Sequence, residues 1–398
     1  MAKGRSKFDK LRAKIEKDMK GAVRIQDVED VTAPFHLRRP SGVLNLDIGT
    51  DGGMPGGSIV QLHGRDGVSK TGLSFHYCAE NQRVYGAESA IFVASFGYKP
   101  DLNYMRMCGM RLALSDQEVL EAGYTLEDVP AAVRGETIGE VFFLDLGLVN
   151  IAAEAPAETI FAAAASLVES GMFQLGVVDE FGSGETKDVV VKGLEETVKV
   201  AAWASLVTRF CQRMYTILRI PLEDGSPNAT TLFVLNPARA ANVGGSGGRV
   251  KPGYVPPDNM TSGFALKHAK AVDILLKSGA QVKQGKNRVG KQVHWRIIKG
   301  KHGLHEGLSG TYVWLDGEGI DMVTELANAA KTFDTIHRAG RWWRVLDYED
   351  KIEGGLEGVI DLLREEPELY QELYEKTIAE AQESLILDDD ENAVHEDT

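Results

Sequence analysis

From about residue 37 to residue 316 the chain alternates two hydrophobic rhythms. Short, largely apolar runs at 58–63 (SIVQLH), 90–94, 140–145, 173–179 and 231–236 have the length and continuity of strands buried on both faces. Longer runs at 72–82, 157–170 and 194–218 have helical spacing. Strands alternating with helices predict an α/β fold, a mainly parallel sheet covered by helices. Upstream, Phe8, Leu11, Ile15 and Met19 recur at helical spacing in a basic segment. A lone helix of that length is marginal in water, so its apolar stripe needs a partner surface. Downstream, 319–387 reads as a small acidic domain, mostly helical, with helices expected at 356–365 and 368–383. The expected organisation is an N-terminal segment 1–36, a core 37–318, a C-terminal domain 319–387 and a disordered acidic tail 388–398.

The chemistry concentrates where the 58–63 strand meets the 72–82 helix. The connection is Gly64, Arg65, Asp66, Gly67, Val68, Ser69, Lys70, Thr71. Strand, glycine-bearing turn, Lys-Thr and helix make a phosphate-binding loop. Its backbone N–H groups cradle phosphate oxygens, its lysine neutralises them and its Thr hydroxyl can hold magnesium. The motif GxxxxGK[ST] has glycine where Ser69 stands, a change that costs little at negative φ and more at positive φ. The 173–179 run ends in Asp179, placing a carboxylate at the C-terminal edge of a buried strand, where ligands sit in open α/β sheets. Asp179 opposite Thr71 suits a magnesium ion on a nucleoside triphosphate.

Several further stretches resemble the RecA family of DNA recombinases, in the family's order. They are Ser41-Gly-Val-Leu-Asn-Leu-Asp47, Gly52-Gly-Met-Pro-Gly-Gly57, Thr261-Ser-Gly-Phe-Ala-Leu-Lys267, Ile297-Ile-Lys-Gly-Lys301, Asp316-Gly-Glu-Gly-Ile320 and Arg338-Ala-Gly-Arg-Trp-Trp343. The resemblance implies a RecA-type P-loop ATPase core using ATP and Mg2+. It implies that the chain forms a helical filament on single-stranded DNA and exchanges strands with homologous duplex DNA. The N-terminal helix would pack on the adjacent protomer, and single-strand-binding and loading proteins become candidate partners. It implies that Tyr104 stacks on adenine, though a core tyrosine fits the same pattern. Lys299 and Lys301 would reach a neighbour's γ-phosphate, their Lys-Gly-Lys alternation placing both on one strand face. Two stretches, near 181–192 and 239–262, would be mobile DNA-binding loops, the second carrying Gly244-Gly-Ser-Gly-Gly248 and three prolines. Arg239, Arg249, Lys251, Ser262, Gly263 and Lys267 are then the DNA candidates. Arg209 and Arg213 form a further pair, equally readable as a solvated helix face.

Three positions depart from the family around one phosphate: Ser69, Ser95 and Pro237. Ser95 stands where the family's catalytic glutamate ends its strand, and serine is no efficient base for water at neutral pH. Pro237 replaces a polar side chain that senses the γ-phosphate. Glu180, directly after Asp179, is the candidate replacement base; an idle loop carboxylate is the alternative. These changes resemble divergent, phage-encoded members. A filament or single-strand-binding protein with little hydrolysis is therefore the second reading, and a hexameric helicase the third.

Charge changes the picture only once it is located. The formal net charge of −14 is unpromising for a DNA binder. Yet residues 347–398 hold 19 acidic and 3 basic side chains, while 236–301 holds 13 Lys/Arg against Asp258 and Asp273. The chain thus has a basic middle and an acidic end, the latter expected to compete with DNA for basic surfaces. Cys78, Cys108 and Cys211 lack metal-ligand spacing and read as buried thiols. No apolar run reaches membrane-spanning length and the basic N-terminus lacks a signal-peptide core, so a cytoplasmic location is expected, the host's if the chain is phage-encoded.

Overall fold

The computed structural model describes residues 10–11, 13–15, 17–19, 34–97, 101–144, 156–192, 202–239, 259–260, 263–348 and 351–395. Two short strands, β1 (Arg38–Arg39) and β2 (Met54–Pro55), pair antiparallel ahead of the core. The main sheet contains β3 (Ser58–Gly64), β4 (Ala90–Ser95), β5 (Glu140–Leu144), β6 (Leu175–Asp179), β7 (Thr231–Arg239), β8 (Asn259–Met260), β9 (Val272–Gln284), β10 (Asn287–Lys299), β11 (Ser309–Leu315) and β12 (Gly319–Ile320). Its order is β12-β11-β10-β9-β3-β7-β6-β4-β5, with β8 added to β7. From β9 to β5 every pairing is parallel, and from β9 to β12 every pairing is antiparallel. The expected α/β core is therefore present, as a mixed and mostly parallel sheet flanked by helices.

The central strands are apolar for a physical reason. Every residue of β3 is buried, because side chains alternate faces and helices cover both. Val60 and Leu62 join one core with Leu73, Phe75 and Tyr77 of the helix Lys70–Tyr85. Ile59 faces the other way, into a core shared by the helices Pro156–Glu169 and Ala202–Ile217. A third core lies beyond the sheet. Leu326, Ile336, Val345, Val359 and Leu363 close on Leu44 of the short helix Leu44–Gly49. It is built from the helices Met322–Thr332, Leu356–Glu365 and Pro367–His395 and from the hairpin of β13 (Ile336–Ala339) and β14 (Trp342–Val345). The sheet's last strand, β12, ends two residues past the expected boundary at 318.

Two expectations about order need correction. The stretch 181–192 is anchored rather than loose at its start. Phe181 is fully buried against Phe161, Trp203 and Phe210, and the segment turns into a short helix, Lys187–Lys192. The aromatic rings that pin it come from two helices, Pro156–Glu169 and Ala202–Ile217, which no local composition can show. At the C-terminus, the helix Pro367–His395 carries through residues 388–395, where acidic composition predicts a disordered tail. Adding residues to an existing helix costs far less than nucleating one. The N-terminal stripe is exposed at Leu11 and Met19 among the described residues.

Candidate nucleotide-binding site

The phosphate loop leaves the C-terminal edge of β3 and enters the helix at Lys70. Gly64 must be glycine, since a Cβ there would lie 2.3 Å from the Leu276 carbonyl oxygen on β9. Ser69 sits in the left-handed region, at φ +63°, so the departure from glycine carries backbone strain. Lys70 Nζ donates to the carbonyls of Gly64 and Arg65, at 2.9 Å each, and folds across the loop. Burial lowers its pKa, against the pull of Asp66, Asp179 and Glu180. The loop walls a cleft of about 450 Å³ shared with Tyr104, Asp179, Glu180 and Pro237.

Opposite the loop, Thr71 Oγ1 donates to Asp179 Oδ2 at 2.8 Å. This pairing of hydroxyl and carboxylate brings together two hard oxygen ligands from two elements, a donor set that fits magnesium. Burial raises the Asp179 pKa, while Thr71, the Glu180 N–H and Lys70 pull it down. Glu180 follows in a left-handed turn, φ +50°, its N–H closed onto Asp179 Oδ1 at 2.6 Å. That turn sends Phe181 into the core and leaves Glu180 at the cleft. The Glu180 carboxylate packs on Gly97, where an added Cβ would meet Oε2 at 1.7 Å. Gly97 lies just beyond Ser95, which pairs in register with Asp179. Glu180 therefore occupies the strand edge where Ser95 offers no base. Burial, then Asp179 and Asp66, push its pKa upward.

Tyr104 lines the same cleft, held edge-on by Phe75 and tilted against Trp314. It is thus at the site and packed at the core margin at once. Trp314 presses on the loop helix so closely that a Cβ on Gly72 would stand 2.1 Å from its ring. Pro237 ends the β3–β7 pairing opposite Gly64 and offers the cleft no donor.

Other candidates are placed elsewhere. Lys299 Nζ donates to the carbonyls of Lys267 (2.8 Å) and Lys270 (2.7 Å) at the C-terminal end of the helix Gly263–Ala269. β10 ends at Lys299, so Lys301 lies in the following turn and the two lysines do not share a strand face, contrary to expectation. The sharp turn reflects Gly300, where a Cβ would meet the Leu304 carbonyl at 2.2 Å. Arg213 pairs with Glu169 at 2.7 Å, and Arg209 is exposed on the same helix. Arg239 ends β7, Gly263 opens the helix that carries Lys267, and Lys267 is exposed. Arg249, Lys251 and Ser262 lie outside the described residues. The three cysteines are free and buried, and burial pushes the Cys108 and Cys211 thiols up to about 12.

Lys291 and Trp314 are the neighbours of the loop that the sequence does not announce. They are cross-strand partners on β10 and β11, more than two hundred residues from the loop. Only strand register brings them there.

No protein-family model matches the chain. Among described residues, no helix is long and apolar enough to cross a membrane. Among solved structures, the chain resembles a KaiC-like protein, PH0186, from Pyrococcus horikoshii OT3. The TM-score is 0.42 and the identity 14%, covering 71% of this chain and 97% of that one. The curated relatives agree with one another. Protein RecA of Fusobacterium nucleatum is 26% identical over 347 residues, covering 86% of this chain and 76% of the relative. Protein RecA of Thermus thermophilus is 25% identical over 349 residues, covering 87% and 86%. Protein RecA of Thermotoga petrophila is 25% identical over 399 residues, 98% of this chain and 96% of the relative, so the likeness to RecA proteins spans sheet, cleft and C-terminal unit alike.

Proposed function

We propose that the chain is an ATP-dependent DNA recombinase of RecA type. The observation that carries the reading is the cleft itself: Lys70, the Thr71–Asp179 pair and Tyr104 converge on one loop, in a chain similar to RecA proteins from end to end. Lys70 and the loop amides bind the phosphates, Thr71 and Asp179 hold magnesium, and Tyr104 stacks on the base. Magnesium held there would supply charge neutralisation for the bound triphosphate. Glu180 acts as the base that orients and polarises water. Its position against Gly97, beside Ser95, and its raised pKa favour that role.

The basic middle then binds the phosphate backbone of single-stranded DNA. Arg239, Arg249, Lys251, Ser262, Gly263 and Lys267 are the contacts, with affinity that falls as salt rises. Base pairing reads the sequence, so the protein needs few base contacts. Protomers stack into a helical filament, with Lys299 and Lys301 facing the neighbour's nucleotide. Lys299 must first leave the helix end it holds within its own chain. The ion pair of Arg213 with Glu169 favours a structural role for that arginine.

A second reading follows from Ser95 and Pro237: a filament in which ATP joins protomers and hydrolysis is slight. Electron microscopy with single-stranded DNA and a non-hydrolysable ATP analogue, followed by a strand-exchange assay with ATP, separates the readings. Filaments with strand exchange support the recombinase. Filaments with neither exchange nor turnover support the second reading. Rings, or no assembly, count against both.

A further inference from the structure

Lys291 lies on β10, yet its ammonium donates to the carbonyl of Gly67, at the crown of the phosphate loop. Gly67 is left-handed at φ +72°, and a Cβ on it would touch nothing within 4 Å. In a trans peptide the C=O and the following N–H point in opposite directions. A Gly67 carbonyl drawn toward Lys291 therefore turns the Val68 N–H the other way. Gly67 and Val68 both line the cleft, and the buried Val68 side chain fixes the far side of the peptide.

The same pair of strands grips the loop helix. Trp314, the register partner of Lys291, packs on Gly72 at the helix's first turn. Within the loop, Lys70 holds the Gly64 and Arg65 carbonyls. The loop is thus tied by two lysines, one its own and one from the antiparallel half of the sheet. Burial, and after it Arg288, disfavour the charge on Lys291, and Asp316 offsets this in part.

We propose that Lys291 is a positioning residue for nucleotide binding: by holding the Gly67 carbonyl it presets the loop amides to face the phosphates. The proposal rests on the nucleotide-binding reading above and deepens it. Amides of a preset loop serve ATP and ADP alike, so the effect extends to both.

The test is calorimetric titration of the full chain, without DNA, with magnesium and either ADP or a non-hydrolysable ATP analogue. Wild type, Lys291→Met and Lys291→Arg are compared, and the melting of each is measured with and without nucleotide. Loss of one charged hydrogen bond predicts binding about tenfold weaker for Lys291→Met with both nucleotides. Lys291→Arg, which keeps the donor, restores most of the affinity. The melting temperatures without nucleotide stay together, and those with nucleotide separate. A Met variant that binds as tightly as wild type overturns the proposal. So does one whose melting falls equally with and without nucleotide, which makes Lys291 a brace of the fold. A wild-type chain that binds no nucleotide is a different failure, that of the underlying reading.

Discussion

Glu180 and Ser69 show how single residues decide the behaviour of the cleft. Glu180 is held by its own turn, with its N–H on Asp179 and its carboxylate against Gly97. Glu180→Gln keeps the shape and the packing and removes only the carboxylate proposed as the base. Single-stranded-DNA-stimulated ATP turnover is expected to fall on the order of a hundredfold or more, with nucleotide affinity kept. A variant that turns over ATP at the wild-type rate removes Glu180 from the mechanism. Ser69 has the opposite sign. Its left-handed backbone costs roughly 1 kcal/mol that glycine would not incur. Ser69→Gly is expected to raise the denaturant midpoint by about that energy, less the extra freedom of glycine in the unfolded chain. Both residues were visible in the sequence as departures from a pattern. The φ at Ser69 and the nearness of Glu180 to Gly97 depend on β3, β4 and β6 lying in one sheet.

At the scale of elements, the helix Gly263–Ala269 is the clearest case. It ends with its carbonyls facing Lys299, a cation that suits the negative end of a helix dipole. Lys299→Met is expected to destabilise the nucleotide-free monomer by about 1 kcal/mol, read as a drop in denaturant midpoint. A midpoint equal to wild type would show that the contact carries no stability. This helix carries Lys267, so its hold on β10 also ties that DNA candidate to the sheet. The aromatic cluster around Phe181 does the same for 181–192. The strand and helix rhythms were legible because they are local. Lys299 as a helix cap and Phe181 as an anchor were not, because each needs a partner far along the chain.

The whole molecule is joined where the C-terminal unit meets the core. There Glu325 of the helix Met322–Thr332 is buried and its Oε2 accepts from Asn45 at 3.2 Å. Burial pushes its pKa up to about 8, and Asp47 nearby is pushed up to about 7 for the same reason. A carboxyl whose pKa rises on folding stabilises the fold fully below its unfolded value. That contribution is lost as pH rises through the folded value. Stability should therefore decline between pH 6 and pH 9, by roughly 2 kcal/mol from Glu325. Denaturant midpoints at the two pH values check this. Glu325→Gln, neutral throughout, should flatten the decline, and an equally steep variant would count against the assignment. The same junction packs the acidic helix Pro367–His395 against the helix Leu44–Gly49.

Local rules sufficed for the alternation of strands and helices, the phosphate loop with its Lys-Thr, the carboxylate at the edge of the 173–179 strand and the basic and acidic halves. Periodicity, turn chemistry and charge act between near neighbours, so they survive in the linear order. The antiparallel half of the sheet, Lys291 on the Gly67 carbonyl, Trp314 on Gly72 and Glu180 on Gly97 exist only once distant strands are set in register. One residue of slip in β10 would turn Lys291 to the other face of the sheet and Trp295 out of the core. That register is fixed by packing on both faces at once, an energy that no short stretch of sequence contains.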